Sequence, residues 1–179
     1  AVRNVIFPGG KMNKDAVGQS AQHIAKMAGL TVPADTVVLL VKVEKAGAGE
    51  PFSKEKMCPC IAAYRYNTWE EAVAIANANL NVEGKGHSVC IHSYNDAHID
   101  YAAETLPVSR FLINQICSTN AASGGNFING LKPTMSLGCG SWGNNSISEN
   151  LSWRHLFNVS RVAKVRPGST MPTDEEIWG

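Results

Sequence analysis

Apolar residues along the chain recur with two periods. Val17, Ala21, Ile24 and Ala28 follow helical spacing, with Asn13 or Asp15 placed to cap the start and Gly29 and Pro33 placed to close the end. TVVLLVKV, Thr36 to Val43, is nearly continuous in apolar and β-branched residues, the pattern of a strand covered on both faces. Glu44 to Pro59 reads as a loop, punctuated by Gly47, Gly49 and Pro51, and CIAAYRY (Cys60 to Tyr66) as the next strand. Thr68 followed by Glu71 makes a capping box ahead of Trp69, Val73, Ala76 and Leu80, again at helical spacing. HSVCIHS (His87 to Ser93) predicts a strand, Asn95 or Asp96 caps a helix running through Leu106, and VSRFLIN (Val108 to Asn114) predicts another strand.

Strands that alternate with helices of this length predict βαβ units, hence an α/β domain with a mostly parallel sheet and right-handed crossovers. Thr36 to Val43, His87 to Ser93 and Val108 to Asn114 are expected to run parallel, with Val38, Leu40, Val73, Val89, Ile91, Leu112 and Ile113 buried. After Asn114 the pattern gives way to glycine-, serine- and asparagine-rich loops, until HLFNVSRVAKV (155–165) predicts a final strand. The tail, 166–179, reads as irregular, with Trp178 available to dock.

Composition narrows this to one compact unit. The chain has 179 residues, of which 44% are hydrophobic, enough for one sizeable core and no second domain. Sixteen basic residues against 15 acidic ones leave no surplus for gripping nucleic acid or an anionic membrane. No apolar run approaches the ~18 residues of a membrane span, and AVRNVIFPGG lacks a signal-peptide layout. Five cysteines, with no Cys-x-x-Cys pair and no metal-like histidine spacing, support neither a disulfide framework nor a zinc site, so the expected setting is the reducing cytoplasm and no metal site is expected.

One stretch raises a question of chemistry. LGCGSWGNNSISEN (Leu137 to Asn150) is dense in glycine, which implies either φ > 0 or a close approach of backbone to a neighbour. Phosphate is a poor candidate for that neighbour. A Walker loop needs Gly-x-x-x-x-Gly-Lys-Ser/Thr, no lysine lies between Lys132 and Lys164, and Gly-x-Gly-x-x-Gly is absent around Gly138, Gly140 and Gly143. A tight turn that delivers Trp142 into a groove fits equally well.

Taken together, EPFSKEKMCP (Glu50 to Pro59), GKGHSVCIHS (Gly84 to Ser93), VSRFLIN and SLGCGSWGNNSISEN (Ser136 to Asn150) resemble the CoA-acylating aldehyde dehydrogenases, over about Gly9 to Val165. The last motif is the most specific. The resemblance implies a three-layer fold like the aldehyde dehydrogenase catalytic domain, with 1–165 as the C-terminal part of that domain and 155–165 as an oligomerisation strand. It implies NAD or NADP as cofactor, CoA as co-substrate, an aldehyde substrate and a homo-oligomer.

The resemblance also assigns residues. Glu55 matches the glutamate that hydrogen-bonds the nicotinamide ribose, and Met57 the residue beside the nicotinamide. A carboxylate accepting two hydroxyls fixes the ring against the reacting carbon. His87 matches the histidine of a Gly-x-Gly-His-Ser/Thr motif on the acyl or CoA side. Gly140, Ser141, Trp142, Gly143 and Ile147 fall in a loop over the substrate pocket, where the glycines would let backbone approach the aldehyde or thioester. Where many relatives carry a second glycine this chain has Asn144, the residue type most tolerant of φ > 0 after glycine.

In the family the nucleophilic cysteine and the cofactor-binding domain lie upstream of the residues matching Gly9 to Gly29, so this chain alone is expected to be inactive. Cys139, between two glycines, is the alternative nucleophile in the chain itself. Cys90 and Cys117 read as packing, and Cys58 and Cys60 as neighbours of the Glu55 motif. Two other classes compete: a module that binds CoA or a nucleotide without chemistry, and an assembly module that pairs through 155–165.

Overall fold

A computed structural model describes residues 1–179 apart from the side chain of Asn126. The chain opens with helix α1 (Val2–Ile6), a 3₁₀ turn (Lys14–Ala16) and helix α2 (Ala21–Met27). Asn13 caps the 3₁₀ turn by accepting the Asp15 N–H, while Ser20 caps α2 by accepting the His23 N–H. The helix therefore begins later than the spacing of Val17 suggests. Gly29, at φ 69°, follows its end as a left-handed terminus.

Strands β1 (Leu39–Lys42) and β2 (Cys60–Ala63) pair in parallel, with Leu39 opposite Cys60. Helix α3 (Trp69–Val82) leads to β3 (Gly86–Ile91), and helix α4 (Asp96–Thr105) crosses over to β4 (Val108–Ile113), which pairs with β3 in parallel. Both pairings among the described strands are parallel, and structural neighbours share the α/β architecture. The expected single sheet is corrected to two sheets of two strands each.

Local chemistry explains the helices. Thr68 accepts the Glu71 N–H at 3.2 Å, and the Glu71 carboxylate reaches back one residue further than a standard capping box, to the Asn67 N–H at 2.7 Å. Asn95 caps α4 through the His98 N–H. Trp69 joins the two helices, since its indole N–H donates to the His98 carbonyl at 2.7 Å and its ring stacks on the His98 imidazole.

Apolar side chains collect in two clusters. Ile6, Phe7, Ile24, Val43, Phe52 and Cys60 pack with one face of β1 and β2. Val73, Ile91, Ala102 and Leu106, with Val89, Phe111 and Ile113 beside them, fill the space between α3, α4 and the β3–β4 pair. Val73, Ile91 and Leu112 are buried as expected, and Val89 and Ile113 are half-buried.

Val38 and Leu40 are corrections. Val38 is 40% exposed and Leu40 71%, because only the Leu39 and Val41 face of β1 meets the core and the opposite face has no covering layer among the described residues. Within this chain 155–165 joins neither sheet. Trp153–Leu156 forms a 3₁₀ turn, closed where His155 Nδ1 accepts the Ser152 N–H at 2.9 Å, and beyond it the chain runs exposed without a ladder partner. An apolar alternation becomes a strand only where a second edge satisfies its backbone, and none of the described strands supplies one there. The tail ends in a short helix (Asp174–Trp178), capped by Thr173, and Trp178 is 82% exposed instead of docked. No helix among the described residues is long and apolar enough to cross a membrane.

Two measurements check this packing. In urea denaturation Ile24→Ala should cost about 2–5 kcal/mol, as for other fully buried aliphatics, whereas Leu40→Ala should change stability by no more than about 0.5 kcal/mol. Burial raises the Cys60 thiol from 9.0 to about 11. Its neutral form is thus favoured by folding, so the contribution is complete below pH 9 and is lost as pH rises toward 11. Thermal melts should show this alkaline decline in the wild type and a smaller one in Cys60→Ala.

Candidate functional site

The glycine-rich stretch folds into a compact hairpin. Leu137 and Asn150 form an antiparallel bridge, the Gly138 N–H donates to Glu149 at 3.1 Å, and the Gly140 N–H donates to Ile147 at 2.9 Å. Ser141–Gly143 makes a 3₁₀ turn at the tip, and Asn144 closes it in the left-handed region at φ 58°, ψ 35°, as its residue type suggests. Asn145 braces the tip by accepting the Cys139 N–H and donating to the Gly143 carbonyl.

The close neighbour that the glycines admit is protein backbone. A Cβ on Gly138 would overlap the Ile147 carbonyl, and one on Gly140 would come within 2.8 Å of the Ser148 Cβ. A Cβ on Gly86, at the start of β3, would overlap the Cys139 carbonyl, and one on Gly143 would overlap the Cys139 side chain. Glycine therefore lets the two legs of the hairpin close on one another and lets the hairpin lie on β3.

Beneath this contact lies a buried guanidinium. Arg110, in β4, is 4% exposed. Its Nε donates to Ser88 Oγ at 2.9 Å, one terminal nitrogen to the Gly138 carbonyl at 2.8 Å and Asn150 Oδ1 at 3.5 Å, and the other to the Gly86 and His87 carbonyls at 3.2 and 3.4 Å. Asn150, also buried, donates onward to the Ala121 and Lys132 carbonyls. Neither residue stands out as functional in the sequence reading. The available signal is an arginine inside an apolar strand, which has to find partners if the strand is buried.

The hairpin and β3 bound a cleft of about 430 Å³, lined by Leu80, Glu83, Lys85, His87, Cys139 and Trp142 among others. His87 and Trp142 thus share one cleft, with Gly143, and both side chains are exposed to it. Ile147 lies on the other side of the hairpin, in a separate hollow with Leu137 and Leu151. Gly140 is buried in the hairpin and Ser141 is exposed at its tip. Glu55 and Met57 do not line the cleft, but the Glu55 N–H donates to Glu83 Oε2 at 2.7 Å, which ties their loop to the cleft wall.

Around Glu55 the backbone is held in an unusual state. Met57 has φ 50°, its carbonyl accepts the Gly18 N–H at 2.8 Å, and its side chain is 52% exposed. A non-glycine residue in the left-handed region costs energy and persists only where its surroundings hold it. Lys56, between the two, donates to the Lys54 carbonyl at 2.9 Å, and burial lowers its pKa. The Glu55 side chain has no hydrogen-bond partner among the described residues, so its carboxylate is free to accept hydroxyls.

The thiols differ in environment. Burial raises Cys58, Cys60 and Cys117, which disfavours the thiolate that nucleophilic chemistry requires. Cys139 is half-buried, and its thiol faces the Leu137 carbonyl at 3.8 Å.

No protein-family model matches the chain. Individual proteins do. The chain is 50% identical over 177 residues to a succinate-semialdehyde dehydrogenase (acetylating) of Clostridium kluyveri. Its homologues are CoA-acylating aldehyde dehydrogenases. The match covers 99% of this chain and 38% of the Clostridium protein, so the chain spans well under half the length of that relative. The bifunctional aldehyde-alcohol dehydrogenase of Escherichia coli is 41% identical over 172 residues, which cover 92% of the chain and 19% of that protein. An acetylating aldehyde dehydrogenase from Geobacillus thermoglucosidasius superposes with a TM-score of 0.83 at 35% identity, over 97% of this chain and 37% of the other. The α/β fold is thus one found in acylating aldehyde dehydrogenases.

The hairpin packing predicts that Gly86→Ala and Gly143→Ala destabilise the β3–hairpin contact. Asn144→Gly, where no Cβ is needed, should be neutral or stabilising, and Asn144→Val, β-branched at φ > 0, should be destabilising. Near-ultraviolet circular dichroism and thermal melts of the four variants check the order.

Proposed function

We propose that this chain is part of an NAD(P)-dependent CoA-acylating aldehyde dehydrogenase, converting an aldehyde, CoA and NAD(P)⁺ into acyl-CoA, NAD(P)H and a proton. The observation that carries the reading is the cleft shared by His87 and Trp142, tied through Glu83 to the Glu55 loop, in a chain half identical to an acetylating dehydrogenase. The nucleophilic cysteine and most of the dinucleotide site are proposed to lie outside these 179 residues. The setting is cytoplasmic.

The residues present fit the group they would hold. Glu55 offers a carboxylate without a competing side-chain partner, suited to accept two ribose hydroxyls, with Met57 held beside it by its backbone. When bound, NAD(P)⁺ accepts hydride from the aldehyde carbon. His87, exposed in the cleft, is proposed to stand on the acyl-transfer side, where it can hydrogen-bond the thioester oxygen or the CoA thiol. Trp142, which lines the same cleft, is proposed to shield the acyl group from water, which favours transfer to CoA over hydrolysis. Gly140, Ser141 and Gly143 shape this wall, while Ile147 contributes from the hairpin's other side.

A second reading has its own observation. Phe157, Val159, Val162 and Val165 are exposed along an extended, unpaired segment, which suits pairing with an edge supplied by another subunit. On this reading the chain is an assembly module, or one that binds CoA or a nucleotide without chemistry. Calorimetry with CoA and NAD⁺ separates them, since heat with either ligand indicates a subsite and concentration-dependent mass alone indicates assembly.

The deciding assay is NADH formation from succinate semialdehyde or acetaldehyde with CoA. The chain alone should show no turnover, because without the nucleophile the covalent path is absent. Adding the part of the Clostridium enzyme that this chain does not match should restore activity. Turnover by the chain alone, abolished in Cys139→Ala, overturns this reading and makes Cys139 the nucleophile.

In the reconstituted enzyme Glu55→Gln should lower turnover by up to about 10²-fold through looser cofactor orientation while the fold persists. Unchanged kinetics in both cofactor and aldehyde would make Glu55 a solvated loop residue. His87→Ala should depress steady-state CoA-dependent turnover more than the first-turnover burst of NADH. Equal losses in the two would remove it from the acyl-transfer side.

A further inference from the structure

We propose that Arg110 is the positioning residue of the cleft, the one group that fixes the hairpin bearing Trp142 against the strand end bearing His87. The catalytic part of this role rests on the reading of the cleft given above; the mechanical part does not.

A guanidinium has five N–H donors in a rigid plane, and Arg110 directs all five at oxygens. Three of the acceptors, Gly86 O, His87 O and Ser88 Oγ, belong to the start of β3. The other two, Gly138 O and Asn150 Oδ1, belong to the two legs of the hairpin. Arg110 itself stands on β4, so a single planar group joins both strands to both legs. No carboxylate pairs with it among the described residues. Its buried charge is therefore compensated only by these oxygens, and each hydrogen bond that opens leaves part of that charge without compensation.

This makes the hairpin's position steeply dependent on one side chain. If the hairpin shifts from β3, the bonds to Gly138 and Asn150 break while those to β3 remain, and the Cys139 backbone loses its seat on Gly86. Asn150 extends the hold by donating to the Ala121 and Lys132 carbonyls, so the segment between β4 and the hairpin moves with them. The helices that carry Trp69, Val73 and Ala102 make their contacts on the opposite side of the β3–β4 pair, through Val89, Ile91, Phe111 and Ile113. The side chains that hold these helices are thus distinct from those that hold the hairpin. A lysine at 110 would keep the charge but has three donors on a single atom and cannot reach five acceptors spread around a plane.

The test is amide hydrogen exchange by mass spectrometry on the full chain, with Arg110→Lys and Arg110→Ala. Both variants should show exchange on the order of tenfold faster or more in the hairpin, the loss expected when charge-assisted bonds open, with α1, α2 and the β1–β2 pair unchanged. Methylguanidinium added to Arg110→Ala should restore hairpin protection, and methylammonium should not. Wild-type protection of the hairpin in Arg110→Lys, or faster exchange spread evenly over the whole chain, overturns the proposal. In the reconstituted enzyme Arg110→Lys should lower CoA-dependent turnover while the NADH burst survives, and equal loss of both overturns the catalytic part. Exchange is read without aldehyde or CoA, so an inactive reconstituted enzyme would count against the proposed function and leave the clamp to be decided by exchange alone.

Discussion

Parallel strands cannot be joined by a tight turn, and this constraint arranges most of what is functional in the molecule. Each strand that joins a parallel pair must be re-entered from the same end. Within each pair the chain therefore returns to the same end: Glu55 to Met57 lie just before β2 in one pair, and in the other Glu83 to His87 lie at the entry to β3 and Val108 at the entry to β4, opposite Gly86. The hairpin then comes back over the β3 entry, and the cleft forms at the amino ends of the strands. Open parallel sheets more often bind ligands beyond the carboxyl ends, at a topological switch. Here the choice of edge follows from Gly86, whose missing side chain is what allows another segment to lie on that end.

The elements legible in the sequence are those governed by local chemistry. Thr68 and Asn95 cap their helices as side chains that accept nearby N–H groups, and that preference needs no tertiary partner. The parallel pairing of β3 and β4 follows from the length of the segment between them, and the left-handed Asn144 follows from residue type. Each depends on a window of a few residues or on the length of one connection.

What was not legible depends on distant neighbours. The apolar run at β1 is compatible with two covered faces, yet only one is covered among the described residues, and no local pattern could distinguish these cases. The alternation of 155–165 is compatible with a strand but needs an edge from elsewhere. Arg110 sits in an apolar strand with no local hint of its partners, because Gly138 and Asn150 are brought to it across 28 and 40 residues of chain. The glycines announced a close approach but not what approaches. Within the candidate site, His87 and Trp142 meet in one cleft, whereas Ile147, five residues from Trp142, faces away because the hairpin turns between them.

The hairpin's packing also bears on how such a wall can diversify. Its backbone is closed to side chains at Gly138, Gly140 and Gly143, and its seat is closed at Gly86, since each added Cβ meets an atom already in place. Trp142 stands between two of these fixed points and projects freely. A lineage altering what the cleft accommodates thus has a short route through exchange of that one side chain on an unchanged mount, and a long route through any change of loop shape, which would require several compensating substitutions at once.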